Sequence, residues 1–165
     1  GASPWTVLAQ GISLNVGFSI GTITLVLSIA VLFLWIFLNQ KPGIGTVLNA
    51  LIIAMMIDLC IKFVPTPENF ISQISLAIIA VITVGIGGGI YLVANLGPGP
   101  RDGLMVGIQQ KTNLPLALVR VIIEITVVSI GWYLGGVVGI GTLLFAFGIG
   151  PTVAFGLFLT KKIFS

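Results

Sequence analysis

The sequence predicts an all-α polytopic membrane protein built from two inverted three-helix repeats with short half-helices, the first transmembrane helix being absent from this chain. Three observations predict it. Charged residues make up 7% of the chain and apolar ones 57%, whereas a soluble domain carries about 25% charged residues to keep its surface wet. Five apolar runs, at 19–38, 44–64, 72–95, 115–134 and 140–160, are long enough to cross a bilayer, because about 20 helical residues suffice. Finally, the segment GPGPRDGL, Gly97 to Leu104, echoes GASPWTVL, Gly1 to Leu8.

The echo extends along the chain. An offset of 96 carries Gly1, Pro4, Leu8, Gly11 and Ile12 onto Gly97, Pro100, Leu104, Gly107 and Ile108. Without a gap it also carries Gly43-Ile44-Gly45-Thr46 onto Gly139-Ile140-Gly141-Thr142. Leu, Ile and Val coincide often in apolar chains; glycine and proline at a fixed offset do not. One transmembrane domain, 1–165, therefore holds a first copy at 1–64 and a second at 72–162. The run 72–95 leads into Gly97, so the first copy is expected to have a counterpart helix ahead of residue 1.

Each complete copy crosses three times, an odd number, so consecutive copies enter the membrane in opposite directions. The charges agree. Lys41, Arg101, Lys111, Lys161 and Lys162 fall on one side, and Lys62, near Glu68, on the other. The positive-inside rule makes the first side cytoplasmic, with the C-terminus there.

Taken in order, residues 4–16 form a short helix that either lies at the surface or re-enters the membrane. The span 19–38 follows. The GIGT turn at 43–46 pairs a permissive glycine with a capping threonine and starts the span 44–64. Within that span Asp58 and Lys62 stand at i,i+4 spacing toward the outer end, where a structural pair with a snorkelling lysine is the favoured reading. Cys60 reads as a small buried side chain. In 72–95, Gly85 and Gly89 make a GxxxG packing face. Pro100 suits the first position of the helix 100–112 and Asp102 its first turn, with Leu104, Met105 and Ile108 on one face. Asn113 and Pro115 close it before the span 115–134. The second GIGT turn, 139–142, opens the last span, where Pro151 reads first as a tolerated kink and second as a midplane break that exposes backbone groups. Trp5, Trp35, Trp132 and Tyr133 fall where interfacial anchors are expected.

Glu124 is the most informative single residue. It sits near the centre of a span, where an ionised carboxylate costs at least about 2.5 kcal/mol on insertion scales. Arg120, one turn earlier, shares its face. A substrate, ion or proton site and a structural ion pair both account for them. In the first copy Thr24 and Ser28 stand at the equivalent positions, and such hydroxyls commonly bond their own backbone. The substrate-binding set is therefore Glu124, Arg120, Arg101, Asp102, Ser28, Thr24 and Pro151. No metal site or cofactor is expected in a chain with no histidine and one cysteine, and no convincing nucleophile with a base points to an enzyme.

GPGPRDGLMVG, followed by Arg120, Glu124 and GWYLGGVVGIGTLLFAFGIGP, resembles the YczE-like bacterial integral membrane proteins, a group related to the YitT-type family. The first copy, GASPWTVL to PGIGTVLNAL, follows the same pattern. The resemblance implies a bacterial inner-membrane protein with an additional N-terminal helix. Where the family often reads SPWD, this chain carries Thr6, so the acid of Asp102 has no partner acid in the first copy.

Two functions remain open. One is a small transporter or permease-like protein with a polar midplane site where the copies meet. The other is a non-catalytic accessory or assembly subunit of a larger membrane complex. The expected partners are the lipid bilayer and a membrane protein or second copy of the chain; no nucleic acid is expected.

Overall fold

The computed structural model describes residues 2–65, 67–94 and 96–164, without the side chains of residues 161, 163 and 164. Gly1 and Asn95, at ends of expected segments, and the Lys161 side chain lie outside the described residues. Among those described there are seven helices and no strand: α1 (Pro4–Val16), α2 (Ile20–Phe37), α3 (Ile44–Phe63), α4 (Phe70–Val93), α5 (Pro100–Thr112), α6 (Leu116–Tyr133) and α7 (Ile140–Phe164). Five of them, α2, α3, α4, α6 and α7, are long and apolar enough to cross a membrane. The protein is thus an all-helical membrane protein, and both 13-residue segments, α1 and α5, are helical but too short to span.

The helix ends follow from local chemistry. Ser19 caps α2 by accepting from the Thr22 backbone N–H at 3.1 Å. Gly43 precedes α3, and its N–H donates to Thr46 Oγ1 at 3.1 Å; Gly139 and Thr142 repeat this bond ahead of α7 at 3.3 Å. Pro100 begins α5, where a missing N–H costs nothing. The short helices end in the left-handed region, α1 before Gly17 (φ 77°) and α5 at Asn113 (φ 55°). The spans α2 and α6 end on 6→1 bonds, from Gln40 N–H to the Trp35 carbonyl and from Gly136 N–H to the Gly131 carbonyl. Asn39 (φ 54°) and Gly135 (φ 95°) supply the left-handed turn those bonds require.

The chain divides into two compact units. One holds Pro4–Val64 and Leu96–Val137; the other holds Pro65–Asn95 and Val138–Ser165 with Gly1–Ser3. In the second unit α4 lies along α7. Gly85 and Gly89, both buried, let the backbones approach: a Cβ at Gly85 would collide with Thr152, and one at Gly89 would lie 2.6 Å from the Gly156 carbonyl carbon. The expected GxxxG face is the α4–α7 seam. Pro151 does not interrupt α7, which is helical from Ile140 to Phe164. A proline in mid-helix removes one donor, and the next residue, Thr152, turns its hydroxyl onto the Gly148 and Ile149 carbonyls at 2.9 and 3.0 Å.

In the first unit α1, α2, α5 and α6 form a closed ring of contacts, α1 on α2, α2 on α5, α5 on α6 and α6 on α1, with α3 against α2 and α5. Its core joins Trp5 and Leu8 of α1, Val31 and Trp35 of α2, Leu104 of α5 and Val127 of α6. Leu8 and Leu104 are 96 residues apart, as are Val31 and Val127. Bulk is traded between the flanks. The Trp35 ring fills the space a side chain at Gly103 would need, and Val7 presses on Gly131 and Gly136.

Three expectations fail. Trp5 and Trp35 are buried at 8% and 1% exposure and anchor nothing at an interface, because the ring of α1, α2, α5 and α6 encloses them; Trp132 and Tyr133 are exposed, as anchors are. Cys60 is exposed, on the outward side of α3. Asp58 does not pair with Lys62: its carboxylate accepts from the Gly21 N–H at 2.7 Å and the Ser19 hydroxyl at 2.6 Å. An acid at a helix N-terminus satisfies orphan donors and meets the positive end of the macrodipole, which outweighs an exposed pairing with a lysine. Lys62 lies over the Phe63 ring instead, 5.6 Å from its centroid.

Candidate functional site

The charged residues of α5 and α6 come together through the tight turn between those helices. Asn113 ends α5 and Pro115 starts α6, so a three-residue turn joins the two helices, which are in contact. Arg120 Nε donates to Glu124 Oε1 at 3.0 Å along one helix face, as i,i+4 spacing dictates. Glu124 is buried at 8% exposure; Arg120 is half-buried.

Arg101 and Asp102 are neighbours in sequence, yet they do not pair with each other: among the described residues the Arg120–Glu124 bridge is the only ion pair. Consecutive helical residues diverge by about 100°. The Arg101 guanidinium turns to α1 and stacks over the Trp5 ring, 5.0 Å from its centroid, a cation–π contact. Burial pulls its pKa down to about 10, against the raising influence of Asp102, so it remains charged at neutral pH. Asp102 keeps an open face to solvent but is crowded by protein on its other sides. That loss of solvation raises its carboxyl pKa, opposed first by the Arg120 charge and then by Arg101.

Two groups that sequence reasoning left out of the site belong to the same place. Trp5 Nε1 is a buried donor with no acceptor among the described residues. Asn49 of α3 brings its Oδ1 to the tip of α5, where a Cβ at Gly99 would lie 2.9 Å from it and 3.4 Å from Asp102 Oδ2. Neither type is charged, so Asn49 does not stand out and Trp5 reads only as an anchor. The signal for Trp5 was present in its offset partner, since it stands where the second copy has Arg101.

The tip of α5 is fixed from two sides. Trp35 Nε1 donates to the Pro100 carbonyl at 3.0 Å, and Thr46 Oγ1 to the Pro98 carbonyl at 2.7 Å. Gly45 N–H reaches the Leu96 carbonyl at 2.9 Å. The segment 96–100 is thereby laced down the first turns of α3 and against α2, with Arg101 and Asp102 at its end.

Four of the seven expected site residues, Arg101, Asp102, Arg120 and Glu124, therefore gather on α5 and α6. Thr24 and Ser28 do not join them. Both are buried on α2 and spend their hydroxyls on their own helix, bonding the Ile20 and Thr24 carbonyls at 2.8 Å each. Pro151 is exposed on α7, in the other unit. Among the described residues no cluster of three or more His, Cys, Asp or Glu side chains could hold a metal ion.

The profile of a family described as a family of unknown function (DUF6198) matches residues 1–157. A protein of Haemophilus influenzae (strain ATCC 51907 / DSM 11121 / KW20 / Rd) is 42% identical over 163 residues, covering 99% of this chain and 75% of that protein. The membrane protein YczE of Bacillus subtilis (strain 168) is 32% identical over 158 residues, 95% of this chain and 74% of its own length. The protein YyaS of the same organism is 27% identical over 148 residues, 87% of this chain and 74% of its own length. No solved structure matches. The YczE-like resemblance read from the GPGPRDGL and GIGT segments is borne out.

Proposed function

The chain belongs to the DUF6198 family of YczE-like membrane proteins, and we propose that it is a small permease of the bacterial inner membrane whose solute site is the Arg101, Asp102, Arg120 and Glu124 cluster. The observation that carries this reading is the gathering of four charged residues from α5 and α6 beside an apolar core, with Glu124 buried and bridged to Arg120. Ionisable groups at membrane depth are expensive and mark pathways. A structural role alone needs only the Arg120–Glu124 bridge; Arg101 and Asp102 add two further charges that no ion pair neutralises.

The permease is a pair of copies in opposite orientation. Support comes from features that recur at the 96-residue offset: left-handed residues at 17 and 113 and at 39 and 135, GIGT caps at 43 and 139, and core residues 8 with 104 and 31 with 127. With the lysine- and arginine-rich side inside, the C-terminus is cytoplasmic. The glycine face that would suit an accessory subunit is occupied by α7 within this protein, which favours the permease over the assembly role. The chemistry needs no covalent step and no cofactor.

The test is solute flux in proteoliposomes holding the full chain, with Glu124→Gln as the site variant. The expected result is flux that falls at least about tenfold in the variant, since a buried charged hydrogen bond is worth roughly 1.5–3 kcal/mol. Equal flux in a folded Glu124→Gln protein would remove this residue from the site.

A further inference from the structure

Trp5 of α1 and Leu104 of α5 share one core with Val31 and Trp35 of α2 and Val127 of α6. The C-terminal ends of the short helices lie elsewhere. Asn15, at the end of α1, donates to the Leu134 carbonyl at the end of α6. Gln110, near the end of α5, accepts from Gln40 just beyond α2. Since α2 starts beside the end of α1, and α6 starts beside the end of α5, those two ends mark opposite faces of the ring. α1 and α5 therefore lie at opposite faces, and their first turns converge where Arg101 meets Trp5.

This convergence decides the charge of the site. The side chains of Arg101 and Arg120 balance those of Asp102 and Glu124, leaving the two helix N-termini, each equivalent to roughly +0.5 of an elementary charge. Together they amount to about one positive charge. Donors are also in surplus. The Arg101 guanidinium lies over the face of the Trp5 ring, and the indole N–H at that ring's edge is buried without a partner among the described residues. The N–H groups of Arg101 and Asp102 open α5, ahead of its first intrahelical bond, from Gly103 N–H to the Gly99 carbonyl.

We propose that the meeting point of the α1 and α5 N-termini binds a small monovalent anion, held by the Arg101 guanidinium, the Trp5 indole N–H and the first turn of α5. The proposal rests on the permease reading for what the anion does there, and on the ring geometry alone for its binding. A monoanion neutralises the surplus; a dianion overshoots it, and a zwitterion leaves it in place. Helix N-termini are ready-made anion sites, and half-helices aimed at a midplane site are one way transporters hold anionic groups.

Calorimetric titration of the full chain in lipid nanodiscs with sodium acetate, sodium sulfate and glycine tests the binding. Acetate is expected to bind saturably, at least about tenfold tighter than sulfate or glycine. Arg101→Gln is expected to weaken acetate by about tenfold or more, as loss of a charge-assisted donor does. Trp5→Phe keeps the ring and removes only the N–H, so it is expected to weaken acetate by about threefold to tenfold with an unchanged thermal transition. Lys111→Gln, outside the cluster, leaves binding as it was. Absence of acetate binding, or glycine or sulfate binding as tightly, overturns the proposal, as does full affinity in folded Trp5→Phe and Arg101→Gln. The two readings fail separately: acetate binding without flux of any solute sinks the permease, and Glu124-dependent flux of another solute without acetate binding sinks the anion site.

Discussion

At the scale of single residues the polar groups divide into those already satisfied and those held open. Thr24, Ser28 and Asp58 are satisfied within the bundle. Asp102 is not, and its pH behaviour follows. With the folded pKa raised by lost solvation, the native state binds a proton more readily than the unfolded chain. Stability is therefore highest below the ordinary carboxylate pKa of about 3.9 and falls as the pH rises from there through the folded value. Asp102→Asn removes that slope, which urea unfolding at stepped pH would show. Because Arg120 is the stronger opposing charge, Arg120→Gln should move the Asp102 titration upward, readable from its carboxyl infrared band with Asp102→Asn for assignment. The charged members of the cluster were legible in the sequence, since an ion in an apolar run stands out. Thr24 and Ser28 were legible only as polar; a hydroxyl's choice between its own carbonyl and a ligand depends on neighbours that spacing alone does not show.

At the scale of elements, helix existence was readable from apolar length, and helix ends from glycine, asparagine, serine and proline chemistry. What escaped was which faces turn inward. Trp35 looked like an anchor because it stands near the end of a span, but α5 lies across that end and covers it. The α4–α7 seam predicts its own weakness. Gly89→Val places a branched side chain where even a Cβ meets backbone at 2.6 Å, and overpacking of this kind costs about 1–3 kcal/mol; the midpoint of detergent-induced unfolding should fall accordingly. Gly87, with open space around its Cβ, accepts Ala with no such loss. At the start of α2, Asp58→Ala strips two acceptor contacts and should destabilise by roughly 1–3 kcal/mol.

At the scale of the whole chain, the repeat was the strongest signal the residues carried, and it is strongest where the backbone needs special conformations. Left-handed turns demand glycine or asparagine, so their positions resist drift while apolar positions exchange freely. Gly17 answers Asn113, and Asn39 answers Gly135, pairings that identity alone would miss. The contacts of α1 and α5 with the spans beside them also obey the offset: a Cβ at Gly11 would meet Leu134, and one at Gly107 would meet Leu38. Orientation is the matching prediction. A fluorescent reporter fused after Ser165 should light up in the cytoplasm, and an alkaline phosphatase fused there should stay inactive; the opposite pair of results reverses the topology. Maleimide should label Cys60, which the structure leaves exposed, once detergent removes the lipid around it.

The bond from the Trp35 indole to the Pro100 carbonyl makes the chain its own optical gauge. Two of its three tryptophans are enclosed in the ring, and the third, Trp132, is 70% exposed. Emission from the enclosed pair responds to the carbonyl under Trp35 and the cation above Trp5, with no dye attached. In Trp132→Phe protein, any excursion of α5 away from α2 would appear as a shift in the emission maximum, timed against the arrival of whatever displaces it.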